Sequence, residues 1–378
     1  MTPDPSHAYP RRILLAVTGL SPQVVTETLY ALLQRDPSCL PTEVHLITTR
    51  EGSERARLAL LSEDPGWFRR FLRDFALAEC IRFDADHIHV LTDANGESLS
   101  DIRSPQDNER AADLITECVR QFTADDQAAL HVSIAGGRKT MGYYLGYALS
   151  LYGRPQDRLS HVLVSEPFES SWEFFYPTPY ERIIQVKGDK LANCQDARVT
   201  LAEIPFVRLR EELPRRLLEG KARFSEAVAA AGRAWAEPRL RLTLQDRCAY
   251  LDDESSSLGP TEFAFLYWLA QRARRDEAEV EWSRREAAGE FLRCARQVLN
   301  TAGGDYERIE NALSWRLKGG NPKDLGDYFE PQKSRINKVF EQMLGSHAAR
   351  RYQICRSGAK GASRYSLPLS PEQIEIIE

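Results

Sequence analysis

A β-like run that ends in a glycine turn and two cations decides the fold of this chain: His131-Val132-Ser133-Ile134-Ala135-Gly136-Gly137-Arg138-Lys139-Thr140. A strand that stops in small residues and opens a helix directs free backbone N–H groups at one point, and Arg138 with Lys139 adds positive charge there. Two adjacent glycines permit a positive φ or a close backbone approach. The stretch predicts a strand-turn-helix unit that binds an anion; the alternative is an ordinary turn with solvated charges.

A second turn of the same kind follows the apolar run Ile13–Val17 and reads Thr18-Gly19-Leu20-Ser21-Pro22-Gln23. Ser21 has no evident histidine and aspartate partners for nucleophilic catalysis, so its hydroxyl is interpreted as a positioning group. Neither turn matches the Gly-x-Gly-x-x-Gly pattern of dinucleotide sites or the Gly-x-x-x-x-Gly-Lys-Ser/Thr pattern of P-loops. We therefore expect no nucleotide cofactor.

Short β-rich runs alternate with amphipathic helical stretches over the first 167 residues, which is typical of a parallel sheet covered on both faces. The five predicted strands are Ile13–Val17, Val44–Thr48, His87–Leu91, Leu130–Ile134 and His161–Val164. A helix is predicted over Ser104–Phe122, with Ser104 as N-cap and Pro105 in the first position. Ligands of open sheets bind beyond the carboxyl ends of the strands, where both glycine turns fall.

Composition indicates a soluble globular chain of at least two domains, because 378 residues exceed one typical core. The seven scattered cysteines contain no Cys-x-x-Cys pair, so neither a disulfide framework nor a zinc site is expected. His87 and His89 share a strand face, but a third ligand is not evident nearby, and we expect no metal. No apolar run is long enough to cross a bilayer and the N-terminus lacks an export signal. We expect a cytoplasmic protein without membrane contact.

The second half of the chain has a different pattern. Residues from Ile204 to about Trp235 are predicted to be helical with a break at Pro214, and Thr261 is a candidate cap of the helix that follows Gly259 and Pro260. Further helices around 284–299, 306–315 and 331–344 precede a basic hairpin, an order typical of a winged helix-turn-helix. We predict an α/β ligand-binding domain over 1–203, a helical linker over 204–238 and a winged-helix-like domain over 239–378.

The C-terminal part is locally basic although the whole chain carries a net charge of −5. Nine Lys and Arg stand against four acids between Asn321 and Tyr365. A basic surface of this kind contacts a nucleic-acid backbone, double-stranded DNA for a winged helix, or is simply a solvated face. The candidate contacts are Lys333, Arg335, Lys338, Arg356, Lys360 and Arg364.

Four motifs in order resemble a known family: Ile13–Leu29, Asp101–Arg103 with Asp107-Asn108, Ser133–Met141 and Ile204–Arg210. Together they are similar to CRISPR-associated CARF-domain proteins of the ring-nuclease type, accessory proteins of type III systems. The resemblance covers about residues 10–215. It implies a Rossmann-like homodimer that binds cyclic oligoadenylate, with cyclic tetra-adenylate favoured, across its two-fold axis.

The resemblance also implies roles for the residues of the two turns. In such enzymes a ribose 2′-hydroxyl attacks the neighbouring phosphate without a metal and leaves a 2′,3′-cyclic phosphate. On this basis Ser21 orients the ring, and Lys139 with Arg138 stabilises the transition state. The ligand-binding positions implied are Thr18, Gly19, Gln23, Ala135, Gly136, Gly137, Thr140 and Met141.

The sequence is also compatible with other functions. The same pocket could serve a cyclic-oligoadenylate-gated regulator that binds DNA without turnover, since the last part also resembles response-regulator DNA-binding domains. A metabolic α/β enzyme for a phosphorylated small molecule would suit the anion turns alone. Four aromatic residues after the fifth strand either cover adenine rings or seal a dimer contact: Trp172, Phe174, Phe175 and Tyr176.

Overall fold

The computed structural model describes residues 8–77, 80–169, 171–221, 223–233, 237–277, 279–299, 304–319, 323–358 and 363–378. They form two compact units. The first contains the chain up to Arg210 together with Leu218–Val228, and the second contains Glu211–Leu217 and Ala229–Glu378. The predicted linker, residues 204–238, is divided between the units, and its status as a separate part stays a prediction.

The first unit is built on a six-stranded sheet and a separate hairpin. Its strands are β1 (Arg11–Val17), β2 (Glu43–Thr48), β3 (Ile88–Val90), β4 (Ala128–Ser133), β5 (Arg158–Val164), β6 (Ile183–Val186), β7 (Lys190–Asn193) and β8 (Val199–Glu203). The sheet order is β3-β2-β1-β4-β5-β8, with β1 to β5 parallel and β8 antiparallel to β5. All five predicted strands are present, which confirms the α/β class with a parallel sheet.

Helices cover this sheet because their apolar faces match its alternating side chains. They are α1 (Val24–Arg35), α2 (Arg50–Ala56, continued by a π-helical turn), α3 (Trp67–Asp74), α4 (Pro105–Ala124) and α5 (Lys139–Tyr152). The predicted cap of α4 is confirmed, since Ser104 and Asp107 form a reciprocal capping box. On one face, Val25 and Leu29 of α1 and Phe71 of α3 share a core with Leu14 and Leu46 of the central strands.

The second unit joins a helical core to short strands. After α6 (Arg215–Glu219) and α7 (Phe224–Gly232), the chain forms β9 (Leu240–Thr243), β10 (Cys248–Leu251), β11 (Glu254–Ser257), α8 (Pro260–Arg274), α9 (Arg285–Val298), α10 (Gly304–Gly319), α11 (Lys323–Leu344), α12 (Ser346–Ala349), β12 (Cys355–Ser357), β13 (Arg364–Ser366) and β14 (Ile374–Ile377). One sheet has the order β11-β10-β9-β14, and β12 pairs with β13 as the predicted hairpin. Buried aromatic rings, among them Phe265, Trp268 and Phe329, hold the helices together.

Three local predictions for the later part of the chain are wrong. The segment from Ile204 to Leu209 is not helical: the Ile204 N–H donates to the Leu159 carbonyl, which continues the edge of the sheet, and the Leu209 N–H donates to the Ser150 carbonyl. Helix α8 begins at Pro260 with Gly259 in the cap position, so Thr261 lies inside the helix. Helix α11 includes Pro331 in its interior and begins earlier than predicted. None of the helices in the described ranges is long and apolar enough to cross a membrane.

Candidate functional site

The two glycine turns lie side by side at the carboxyl edge of the first sheet. They follow β1 and β4, which are parallel neighbours with Ala16 opposite Ser133. A Cβ atom built on Gly19 would lie 3.8 Å from the Cα atom of Gly137. Two turns more than 110 residues apart in sequence therefore form one surface.

Each glycine of the second turn is required for a different steric reason. A Cβ atom on Gly136 would lie 2.7 Å from the Val17 carbonyl oxygen, closer than such atoms approach in proteins. Gly137 has a φ of +77°, in the left-handed region that favours glycine. The pair lets the turn pass close to β1 and then reverse into α5, which brings the start of α5 to the site.

The start of α5 supplies backbone donors and one exposed cation. Arg138 occupies the N-cap position, and its carbonyl oxygen accepts the first helical hydrogen bond from Met141 N–H at 2.9 Å. The amides of Lys139 and Thr140 precede that bond and have no acceptor within the helix. Both side chains are exposed, and within the described residues the Lys139 ammonium makes no ion pair. This helix terminus can receive an anion.

The Arg138 guanidinium is less available to an anion than the Lys139 ammonium. Its guanidinium forms a two-pronged ion pair with Asp101, with Nε donating to Oδ1 at 2.8 Å. The hydrogen bond from Arg138 holds the pKa of Asp101 below its usual value. An anion that binds Arg138 must therefore compete with a carboxylate, so the two cations of the motif are not equivalent.

Some residues of the first turn stabilise the turn itself, and others are placed to contact a ligand. Thr18 is buried, its hydroxyl donates to the Gly19 carbonyl at 3.0 Å, and its own carbonyl accepts from Thr48 at 2.8 Å. Ser21 is exposed. Gln23 is 7% exposed and donates from Nε2 to the Trp172 carbonyl at 3.2 Å. Of these residues, Ser21 and Gln23 are placed to meet a ligand, whereas Thr18 holds the turn together.

Two cavities adjoin the turns. The first, of about 370 Å³, is lined by Ser21, Gln23, Glu27, Ala135, His161 and Trp172, among others. The second, of about 300 Å³, lies against Gly19, Gly137 and Arg138, with the buried Met141 in its wall. Polar groups of both turns thus line concave surfaces of a size that holds small molecules.

Sequence reasoning missed Glu27 and His161. Glu27 is 9% exposed on the apolar face of α1, and burial raises the pKa of its carboxyl group to about 8. An acid inside the run Val24–Leu29 was the available signal, because carboxylates are seldom buried without a partner. His161 has no distinguishing pattern, since its position on β5 reaches the cavity only through the tertiary fold.

The aromatic cluster after β5 is mostly structural. Phe174, Phe175 and Tyr176 are buried in the core of the first unit. Trp172 is 57% exposed, lines the first cavity and lies 5.0 Å from the Arg55 guanidinium. Of the four rings, Trp172 is the one placed at the surface for a ligand or a second chain.

The basic residues of the second unit are largely paired with acids. Lys333 lies 2.8 Å from Glu330, and Arg335 lies 2.8 Å from Glu262. A third ion pair joins Arg364 of the hairpin to Glu279, with 3.0 Å between the guanidinium nitrogen and the carboxylate oxygen. Arg356 donates to the Ser363 hydroxyl, Lys338 is exposed, and Lys360 lies outside the described residues. The local excess of positive charge is therefore partly compensated where DNA contacts were predicted.

Within the described residues, one further group could hold a metal: Glu43, His45 and His87, whose ligand atoms lie within 4.8 Å of one another. The Glu43 carboxylate already accepts hydrogen bonds from Arg11 at 2.6 Å and Arg82 at 2.8 Å. Two guanidinium groups compensate its charge. We describe this group as an ion-pair cluster and assign no metal to it.

Comparison with known proteins places the chain in a family. No match was found among curated proteins. One solved structure, described as a type III CRISPR defence DNA nuclease activated by cyclic oligoadenylate, aligns with 76% of this chain at 17% identity and a TM-score of 0.24. The alignment spans 30% of that nuclease chain. The profile of CRISPR-associated protein NE0113 (Cas_NE0113) matches residues 21–235, more than half of the sequence and including both Ser21 and Lys139. The chain therefore belongs to the CRISPR-associated NE0113 family.

Proposed function

We propose that the chain binds a cyclic oligoadenylate of a type III CRISPR system between two copies of its first unit and cleaves it, which ends the antiviral signal. The observation that carries this proposal is the junction of the two turns, where Gly137 lies against Gly19 at the sheet edge and the next helix, α5, begins with the exposed Lys139. A closed ring of phosphodiesters needs cationic and N–H donors grouped in this way. The resemblance of both motifs to CARF-domain proteins supports the same ligand.

The cleavage we propose needs no cofactor. A ribose 2′-oxygen forms a bond to the adjacent phosphorus, the bond from phosphorus to the 5′-oxygen breaks, and the hydroxyl proton passes to the leaving 5′-oxygen through solvent. The products are linear and end in a 2′,3′-cyclic phosphate. The protein holds the attacking and leaving oxygens in line and stabilises the added negative charge.

Lys139 carries the larger catalytic role in this scheme because its charge is exposed, whereas Arg138 is held by Asp101. Ser21 orients the ring from the opposite turn. Removing one preorganised donor to a developing oxyanion typically costs about 3 kcal/mol, or about 100-fold in rate. Lys139→Ala is expected to slow cleavage by at least that factor.

The test is single-turnover cleavage of radiolabelled cyclic tetra-adenylate and cyclic hexa-adenylate in the presence of a chelator. Lys187→Ala is the matched control, because Lys187 is also exposed in the first unit but lies in the turn between β6 and β7. We expect cyclic-phosphate products from the wild type and the control, and little product from Lys139→Ala. Cleavage by Lys139→Ala at the wild-type rate would refute the catalytic assignment.

A second candidate is a ligand-gated regulator that binds DNA and leaves the ring intact. It is favoured by the succession of α8, α9, α11 and the β12–β13 hairpin, with Val280 bridged to Tyr365 beside the hairpin. Such an order suits a winged helix. Tightly bound, intact ligand together with a ligand-dependent, salt-sensitive shift of duplex DNA would favour this candidate over the nuclease.

A further inference from the structure

Two buried polar side chains at the start of α1 line the larger of these two cavities and have unused hydrogen-bonding capacity. Gln23 and Glu27 are four residues apart, which places them on one face of the helix start. Both line the cavity of about 370 Å³. The Gln23 Oε1 atom is buried and has no hydrogen-bond partner, while Nε2 is used by the Trp172 carbonyl.

Glu27 is a second polar group of this cavity without a side-chain partner among the described residues. Within the described part of the chain, no basic side chain or hydroxyl donates to its carboxyl group, and burial alone raises its pKa to about 8. Buried polar groups are almost always satisfied, and an exception calls for an explanation. Here the unsatisfied Gln23 and the unpartnered Glu27 line one cavity, which indicates a ligand with complementary donors and acceptors.

We propose that this cavity receives one adenine base of the cyclic oligoadenylate, and that Glu27, as a neutral carboxylic acid, and Gln23 recognise its edge. This inference rests on the proposed function and adds the part of the ligand that the glycine turns do not contact. Ser21 and Ala135 belong to the turns and also line the cavity, so a base in it would be continuous with phosphates at the turns. The exposed Trp172 stands beside it.

The chemistry of adenine explains why the acid must be neutral. The Watson–Crick and Hoogsteen edges of adenine each place the N6 amino donor beside a ring-nitrogen acceptor. A protonated carboxyl group offers one donor and one acceptor and pairs with both, whereas a carboxylate has acceptors only and would face a ring-nitrogen lone pair. The free Gln23 Oε1 can accept a further N6 hydrogen. Glu27 can therefore hydrogen-bond to both groups of the adenine edge only while its carboxyl group is protonated.

This reasoning gives a pH dependence with a definite sign. Below its raised pKa Glu27 is protonated and binding is at full strength; above that pKa ionisation must be reversed before the base can bind. Affinity should fall about tenfold per pH unit beyond pH 8, so that it is at least about 30-fold weaker at pH 9.5 than at pH 7. The other titratable groups that line the cavity are His161 of β5 and Glu169 of the segment after it.

The experiment is calorimetric titration of the full chain with 2′-fluoro cyclic tetra-adenylate, which lacks the attacking hydroxyl, from pH 7 to pH 9.5. Glu27→Gln keeps one donor and one acceptor and nearly the same shape but cannot ionise. It is expected to bind within about threefold of the wild type at pH 7 and to lose the decline in affinity at high pH. Glu27→Ala should bind at least about tenfold more weakly at pH 7.

Glu169→Gln is the matched control, because it removes an exposed carboxylate beside the same cavity and should keep the wild-type pH profile. Thermal melting establishes that each variant is folded. If the affinity of Glu27→Gln declines at high pH as it does in the wild type, Glu27 does not recognise adenine. The proposed function would still stand, because the wild type binds. Absence of any binding by the wild type would overturn the proposed function and this inference together.

Discussion

Replacing Gly136 with alanine should destabilise the first unit through a single steric contact. The new Cβ atom would lie 2.7 Å from the Val17 carbonyl oxygen and 3.3 Å from a methyl group of Val24. The carbonyl belongs to the end of β1 and cannot rotate away, so one of the two turns must shift. Overpacking of this kind costs about 1–3 kcal/mol.

Part of that cost is offset because alanine restricts the unfolded chain, which contributes about 0.4–1 kcal/mol in favour of folding. The net loss of about 1–2 kcal/mol corresponds to a fall in Tm of about 2–8 °C for a unit of this size. Gly19→Ala is the matched control in the adjoining turn, since its Cβ atom would meet its nearest neighbour at 3.8 Å, an ordinary van der Waals distance. It should melt at or slightly above the wild-type temperature.

Differential scanning calorimetry of the wild type and both variants measures this difference. Urea unfolding gives the same comparison as a free energy, with an unchanged m-value expected for all three proteins. If Gly136→Ala melts at or above Gly19→Ala, the close approach of the second turn to β1 is not a constraint, and the steric argument for that glycine fails.

Three further predictions concern charged groups of the first unit. Asp157→Ala should cost about 3–5 kcal/mol in urea unfolding, because it leaves the buried Arg154 guanidinium without its carboxylate; an unchanged midpoint would contradict this. Asp101→Asn should tighten binding of cyclic tetra-adenylate several-fold in calorimetry, since Arg138 is released from a competing carboxylate, and weaker binding would show that the pair itself is required. Burial lowers the pKa of His45 to about 4. Between about pH 4 and the ordinary pKa of histidine, the imidazole is therefore protonated in the unfolded chain and neutral in the folded unit. The free energy of unfolding should therefore fall as the pH drops from about 7 to 4, and His45→Gln should reduce that slope.

Several features of the first unit could be predicted from local sequence alone. The five strands follow from short apolar runs, and the start of α4 follows from Ser104 and Pro105, because capping depends on residues three or four apart. The need for glycine at position 137 is likewise local, because it follows from the positive φ of that residue, whereas the need at position 136 comes from the tertiary approach of Val17. Where local reasoning failed, at Ile204–Leu209, both ends of the segment make backbone hydrogen bonds to residues distant in sequence, Leu159 and Ser150, instead of bonds within a helix.

Sequence by itself thus determined the class of the first unit, the order of its strands along the chain and the two turns that end β1 and β4, since each depends on backbone chemistry within a few residues. Tertiary structure alone decided which cation is available, because Asp101 reaches Arg138 only after the sheet has assembled. It also decided that Glu27 is buried beside Gln23 in one cavity. Such pairings join residues from separate elements, and their free energy depends on distances that exist only in the folded unit.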